Sequence, residues 1–404
     1  MIMDRCSRVR VSGPLAGCVA GFRDSLAEQG YRSYTIYDQL LVLAHVSRWL
    51  AGEGWDGADL TVARVSQFLQ VRRAEGYAKP VSMRGMAPLL GYLRQLGVAP
   101  EPEPEVADTA VAVLLVRYRR YLVEERGLSA SSVRQYLDVA RAFLMHCSIR
   151  AEGDLTGLTG AEVTGFVLSE SRRRGRGYAK PRTSRLRSLL RFLHVEGLTV
   201  AGLDEAVPSV AGWQLAALPG TVDAAGVAGL LASCDRGRAI GRRDLAILTV
   251  LARLGLRARE VAGLRLDDID WRNGEVRIVG KGNHEDRLPL PQDVGQAIAG
   301  WLQQGRPRCG CREVFTRMLA PRRGLSDRAV SGVVRQACQR AGMPPVGAHR
   351  LRHSVATHTL RAGGSLAEVG ELLRHHSLAA TATYAKVDRL ALSAVVQPWP
   401  GGAQ

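Results

Sequence analysis

Apolar positions recur at helical spacing through the first half of the chain and form a nearly continuous block in the second. LAEQGYRSYTIYDQLLVLAHVSRWL at 26–50 resembles LVEERGLSASSVRQYLDVARAFLMH at 122–146. Each is followed by a short apolar cluster, VSQFL or VTGFV, and by the shared pentapeptide GYAKP, at Gly76–Pro80 and Gly177–Pro181. An apolar helix ending at YLRQLGV or FLHVEGL then completes each copy. This diverged internal repeat predicts two small helical bundles. Between the copies, EPEPEV at 101–106 is acidic and broken by proline, the composition of a linker.

Beyond Pro208 and Pro219 the pattern changes. Thr221 is placed to cap a helix running to about Cys234, and RRDLAILTVLARL at 242–254 is apolar enough to be a buried helix. Gly255 interrupts it, which puts Arg257 in the turn before the short helix RAREVAGLRL. The next stretch, DIDWRNGEVRIVGKGNHEDRLPL, switches to period two. Asn273-Gly274 signals a tight hairpin, and a second turn at Lys281–His284 joins a further strand. The fold expected is multidomain: mainly α-helical bundles at 1–105 and 106–206, then an α+β domain at 207–404 with a small antiparallel sheet.

A formal charge of +17 on 404 residues gives this fold an electrostatic footprint for a polyanion, although membrane surfaces and acidic proteins would also answer to it. Of 55 basic residues four are Lys (Lys79, Lys180, Lys281, Lys386), which leaves 51 Arg and makes each Lys informative. The basic residues crowd one segment: 171–191 holds nine of them and no acid. Arg182, Arg185 and Arg187 precede Leu189, Leu190 and Leu193, so one helix would pack its apolar side and present Arg to phosphates, with Arg172, Arg173, Arg174, Arg176 and Lys180 beside them. The plain alternative is a solvated basic face.

Seven scattered Cys form no disulfide framework, which fits a reducing cytoplasm. Cys309 and Cys311 lack a second pair to complete a zinc site. LAGC ending at Cys18 is not expected to be a processing site, because Ser12, Gly13 and Pro14 break the apolar run before it. No run of about 18 apolar residues would span a bilayer.

Tyr384 is the sole tyrosine after Tyr178, and it stands nine positions after His375 in LLRHHSLAATATYAKV. The polar residues around the phenol argue against deep packing. Upstream lie Arg257 in LGLRAREV, Lys281 in VGKGNHEDR, and His349 with Arg352 in AHRLRHSVATH. His353 extends the last motif to HxxxH, but Arg350 stands where a zinc protease would carry Glu, so His353 reads as a packing or scaffold residue. Read in order, Arg257, Lys281, His349-x-x-Arg352, His375 and Tyr384 resemble the active-site series of the tyrosine recombinase (phage integrase) family over roughly 215–390. Counting back from the tyrosine selects His375 over His376. One departure is Arg374, because the family usually has LGH where this chain has LRH.

The resemblance implies SAM-like DNA-binding bundles before a catalytic domain, and a site-specific recombinase. Tyr384 would attack a DNA phosphate, giving a 3′-phosphotyrosyl enzyme, without metal or other cofactor. Arg257 and Arg352 would clamp nonbridging oxygens, Lys281 would be the general acid, His349 would accept the tyrosine proton or hold a phosphate oxygen, and His375 would donate to the transition state. It also implies double-stranded DNA with specific sites as partner, a homotetramer on synapsed duplexes, possible sister recombinases, and a role in a mobile element. The tail from Asp388, with Val395, Val396 and Trp399, would dock on a neighbour or on its own domain. The rival readings are a type IB topoisomerase-like enzyme and a noncatalytic DNA-binding accessory protein.

Overall fold

A computed structural model of the chain describes residues 9–78, 82–102, 109–174, 176–209, 220–280, 284–375, 378–382 and 384–385. Lys281, His376, the tail from residue 386 and most of the predicted linker lie outside the described residues. The chain divides into two compact units, Met1–Pro100 with Leu215–Gln404, and Glu101–Gln214.

The two repeat copies fold helix for helix. In the first, α1 (Val19–Glu28), α2 (Ser33–Glu53), α3 (Val62–Ala74) and α4 (Met83–Gln95) close around Phe22, Leu43, Phe68 and Leu90. In the second, α5 (Ala110–Glu124), α6 (Ala130–His146), α7 (Gly160–Arg174) and α8 (Arg176–Val195) close around Tyr118, Phe143, Phe166 and Leu190. Polar caps start several of these helices: Thr61 Oγ1 accepts the Arg64 amide at 3.3 Å and Thr109 Oγ1 that of Ala112 at 3.2 Å, each satisfying an otherwise orphaned donor. The first bundle touches the carboxyl-terminal part of its unit at Gln29, whose carbonyl accepts the Arg322 amide at 2.9 Å.

The carboxyl-terminal part begins with α9 (Ala224–Ala232). Its cap is Asp223, not the expected Thr221: Asp223 Oδ1 accepts the Gly226 amide at 2.8 Å. Val222, between them, gives its amide to Ser354 Oγ at 2.7 Å, so the chain enters the helix two residues later than expected. Next, α10 (Ala239–Leu254) carries the apolar block; Ala246, Ile247, Leu248, Val250 and Leu251 are all buried, so it is the central helix of this core. A short α11 (Ala258–Gly263) leads into a three-stranded antiparallel sheet, β1 (Ile269–Asp270), β2 (Glu275–Val279) and β3 (Glu285–Pro289), in that order. Val276 and Ile278 face the core while Glu275 and Arg277 point outward, the alternation the period-two pattern requires. The hairpin turns at Asn273-Gly274, with Gly274 at φ 66° and Asp270 Oδ1 accepting the Asn273 amide at 2.9 Å.

Helices α12 (Gln292–Gln304), α13 (Asp327–Arg340), α14 (Ala348–Arg361), α15 (Leu366–Leu372) and α16 (Leu378–Ala382) complete the chain as described. Trp301 is buried in the core and its indole N–H donates to the Val314 carbonyl at 2.8 Å. Among the described residues, no helix is long and apolar enough to cross a membrane.

Candidate active site

Where α10 ends, Gly255 takes the left-handed conformation (φ 58°) and turns the chain so that Arg257 becomes the cap residue of α11. Three residues on, Glu260 is buried, and its carboxylate accepts both the Arg257 amide at 2.8 Å and the Arg257 Nη1 at 2.6 Å. Burial alone would raise the Glu260 carboxyl; these bonds and the charges of Arg374 and Arg257 more than offset it and hold it below its ordinary value. Arg257 is thus held by Glu260, with its side chain still 40% exposed.

Arg352, by contrast, is 1% exposed. From the second turn of α14 its Nη1 donates to the Gly255 carbonyl at 2.7 Å, and Nη2 donates to the Leu373 carbonyl. One guanidinium therefore ties the end of α10, the start of α14 and the chain leaving α15, the three segments that carry Arg257, His349 and His375. Burial, reinforced by Arg257, pulls its pKa down to about 10, so it remains a cation at neutral pH.

The departure at Arg374 has a structural counterpart. Arg374 sits at φ 53°, a left-handed conformation that costs a residue with a side chain about 1 kcal/mol. Its buried side chain gives Nη2 to Glu260 Oε2 at 3.0 Å and Nη1 to the Leu372 carbonyl at 3.2 Å, with Asp286 of β3 at 3.9 Å. Glu260 is shared between Arg257 and Arg374, and this buried pair offsets the backbone strain. Arg374→Gly is therefore expected to lower thermal stability even though glycine suits the backbone, and adding Glu260→Gln should restore part of the loss. A single glycine variant more stable than the parent in thermal denaturation would show that the ion pair does not offset the strain.

His349, Arg352 and His353 share one face of α14, with the two imidazoles edge to face at 4.3 Å between centroids. His375 follows α15 and its Nδ1 lies 2.8 Å from Thr381 Oγ1. Tyr384 closes the group: its hydroxyl lies 2.8 Å from His353 Nδ1, and its ring is parallel to that of His375 at 6.3 Å. The expectation of a loosely packed phenol is corrected here. Tyr384 is 2% exposed and packs with Ala356, Leu360, Val369 and Leu373. The apolar notch comes from α14 and α15, not from the polar residues beside the tyrosine in sequence, so local polarity gave the wrong answer.

Burial favours the neutral form of each titratable group around the phenol. Burial lowers His349, with Arg352 and Arg257 adding to it. Burial likewise brings His353 and His375 to about 4, helped by His349 and Arg352 in the first case and by Arg352 and Arg257 in the second. Burial raises the Tyr384 phenol, and the charges of Arg352 and Arg257 only partly oppose it. Three guanidinium groups converge with Glu260 as the buried carboxylate among them, so the cluster carries excess positive charge, suited to an anion.

The structure thus brings Arg257, His349, Arg352, His375 and Tyr384 together, while Lys281 belongs to the β2–β3 connection outside the described residues. Sequence reasoning passed over Glu260 and assigned His353 to packing; the RxxE spacing was the available signal for the first, the HxxxH spacing for the second. Among the described residues, no group of three or more His, Cys, Asp or Glu is arranged to hold a metal.

The basic segment divides. Arg172 and Arg173 are exposed at the end of α7. Arg182 pairs with Glu170 at 2.8 Å, one residue before the acid-free stretch begins, and Arg187 Nη2 donates to the Val207 carbonyl at 2.8 Å. Arg185 donates to the Gln135 side-chain oxygen. Lys180 is half-buried, and for Arg174 and Arg176 only the backbone is described.

Helical bundles leading to a helical domain with a small antiparallel sheet and a cationic cluster closed by one tyrosine are the architecture of an integrase. Residues 221–390 match the phage integrase family. A protein of Sinorhizobium fredii named as an integrase/recombinase, y4rA, is 39% identical over 97% of this chain and 96% of its own length. The tyrosine recombinase XerD of Listeria monocytogenes is 30% identical over 70% of this chain and 96% of that protein. In fold, the chain is similar to lambda integrase residues 75–356 as a dimer bound to a COC′ core site, with TM-score 0.55 and 17% identity over 71% of this chain and 97% of that one. It is also similar to the XerH recombinase in a post-cleavage complex with its difH substrate, with TM-score 0.53 and 18% identity over 73% of this chain and 99% of that one. The chain belongs to the phage integrase family of tyrosine-type site-specific recombinases.

Proposed function

We propose that this recombinase cuts and rejoins double-stranded DNA at specific sites through a 3′-phosphotyrosyl intermediate, within the cytoplasm, in the service of a mobile element. The observation that carries the proposal is the Tyr384 hydroxyl beside His353, within electrostatic reach of Arg352 and Arg257. A nucleophile needs a positively charged surround to stabilise the extra charge on the phosphate as it reacts. Arg257, exposed at its outer end, is placed to fork onto a nonbridging oxygen. Arg352 contributes charge from below and holds the segments in register. His349 and His375 donate to phosphate oxygens, and Lys281 protonates the departing 5′-hydroxyl because, unlike Arg, its proton is transferable. The resulting hydroxyl of a partner strand reverses the step, so bond energy is conserved.

The exposed Arg172 and Arg173 contribute phosphate contacts, which give affinity and register rather than sequence reading. Recombination between two duplexes calls for a homotetramer, as in the solved complex of lambda integrase as a tetramer on a Holliday junction. The likeness to an integrase/recombinase along nearly the whole chain favours strand exchange over simple relaxation. A supercoiled plasmid carrying two copies of the DNA flanking the gene tests this: deletion or inversion products are expected, and relaxation alone would overturn recombination as the function.

A further inference from the structure

We propose that His353 is a catalytic residue, the group that takes the phenolic proton from Tyr384 as the tyrosine attacks. This rests on Tyr384 being the nucleophile. His353 Nδ1 is 2.8 Å from the Tyr384 hydroxyl, which is hydrogen-bond contact with the reacting oxygen itself. His349, the other candidate acceptor, meets the His353 ring edge to face at 4.3 Å, and the phenol's hydrogen-bond partner among the described residues is His353. His375 lies parallel to the phenol ring and turns its Nδ1 to Thr381 at 2.8 Å.

Burial explains why the tyrosine needs help. Tyr384 is enclosed, its pKa is raised by that enclosure, and a phenol at neutral pH is a poor nucleophile until its proton leaves. The groups facing His353 keep it able to receive that proton. From its own helix come Arg350, Arg352 and His349, and from beyond α16 comes Tyr384, against which His375 stacks; Arg257 acts on Tyr384 and His349 from the start of α11. Burial and these cations leave the imidazole neutral at neutral pH, with one ring nitrogen free to accept.

The step balances. The Tyr384 O–H bond breaks and its proton passes to His353 Nδ1. The phenolate oxygen bonds to phosphorus, the P–O5′ bond breaks, and the departing oxygen takes a proton from the general acid. In the return step the 5′-hydroxyl attacks and passes its proton back to the general acid, the P–O bond to Tyr384 breaks, and His353 gives its proton back to the phenolate. His353⁺ exists only while the covalent intermediate does, when the phosphate's negative charge lies close by. This frees His349 for a phosphate oxygen, dividing between two histidines the roles that sequence alone left to one.

The test is His353→Gln, in the full-length protein, on a nicked suicide substrate. Glutamine keeps a hydrogen bond to the phenol but cannot hold the proton at neutral pH. Cleavage is expected to slow about 10²–10⁴-fold near neutral pH. The rate should then rise about tenfold per pH unit toward the phenol's own pKa, so the gap to the parent narrows in alkali. A 5′-bridging sulfur, which leaves without protonation, should not rescue it. His353→Gln cleaving at the parent rate, or slowed by a factor that stays constant with pH, overturns the proposal. His353→Asn, measured alongside, keeps the test available if the glutamine variant fails to fold. Tyr384→Phe in the same assay separates the two readings: if it still forms adduct, the nucleophile is wrong, whatever His353 does.

Discussion

Tyr384→Phe is expected to bind the recombination site as the parent does and to form no covalent protein–DNA adduct. The substitution deletes the attacking oxygen and leaves the ring. The ring is what packs with Ala356, Leu360, Val369 and Leu373, so the notch between α14 and α15 stays filled and the fold is kept. Only the hydrogen bond to His353 is lost, at a cost of about 1 kcal/mol. Gel shift and denaturing gel electrophoresis on the same samples separate the two properties: binding should be retained and the slow-migrating adduct absent. Adduct at the parent level would remove Tyr384 from the mechanism.

Arg352→Met is expected to be costly in two ways. The methionine fills much of the same volume but gives no donor, so the buried carbonyls of Gly255 and Leu373 lose their partner. Leaving two buried acceptors unsatisfied costs about 2–5 kcal/mol. The ends of α10 and α15 are then no longer held to α14, and cleavage should fall below detection even at temperatures where the variant is folded. Arg352→Lys should recover little, since an ammonium cannot span two carbonyls as the guanidinium fork does. Chemical denaturation checks the first effect and single-turnover cleavage the second; a midpoint equal to the parent's would mean that the guanidinium does not tie these segments together.

Much of the framework was legible because it is local. The paired helical bundles follow from the period of the repeat, α10 from its unbroken apolar run, and the hairpin from Asn273-Gly274, whose turn demands a left-handed residue. Arg257 was placed before α11 because Gly255 stops α10. What stayed hidden depends on elements distant in sequence. The burial of Tyr384 is decided by residues of α14 and α15, and the partner of its hydroxyl by the side of α14 that carries His353. Arg374 is legible as a departure from the family pattern, yet its ion pair with Glu260 joins residues 114 positions apart and needs the fold. The acid-free stretch at 171–191 looked unpaired, but Glu170 stands just outside it and neutralises Arg182. Charge density shows where cations are, not which of them are already held.

The central claim is that the Tyr384 oxygen becomes bonded to DNA phosphorus. The direct measurement traps the adduct of the unmodified protein on a nicked suicide substrate, digests protein and DNA, and locates the nucleotide-bearing residue by mass spectrometry. The account predicts a single modified peptide spanning His375 to Lys386, with the phosphate on Tyr384 and a free 5′-hydroxyl on the released strand. A modified residue elsewhere, or a 5′-linked protein, would contradict it.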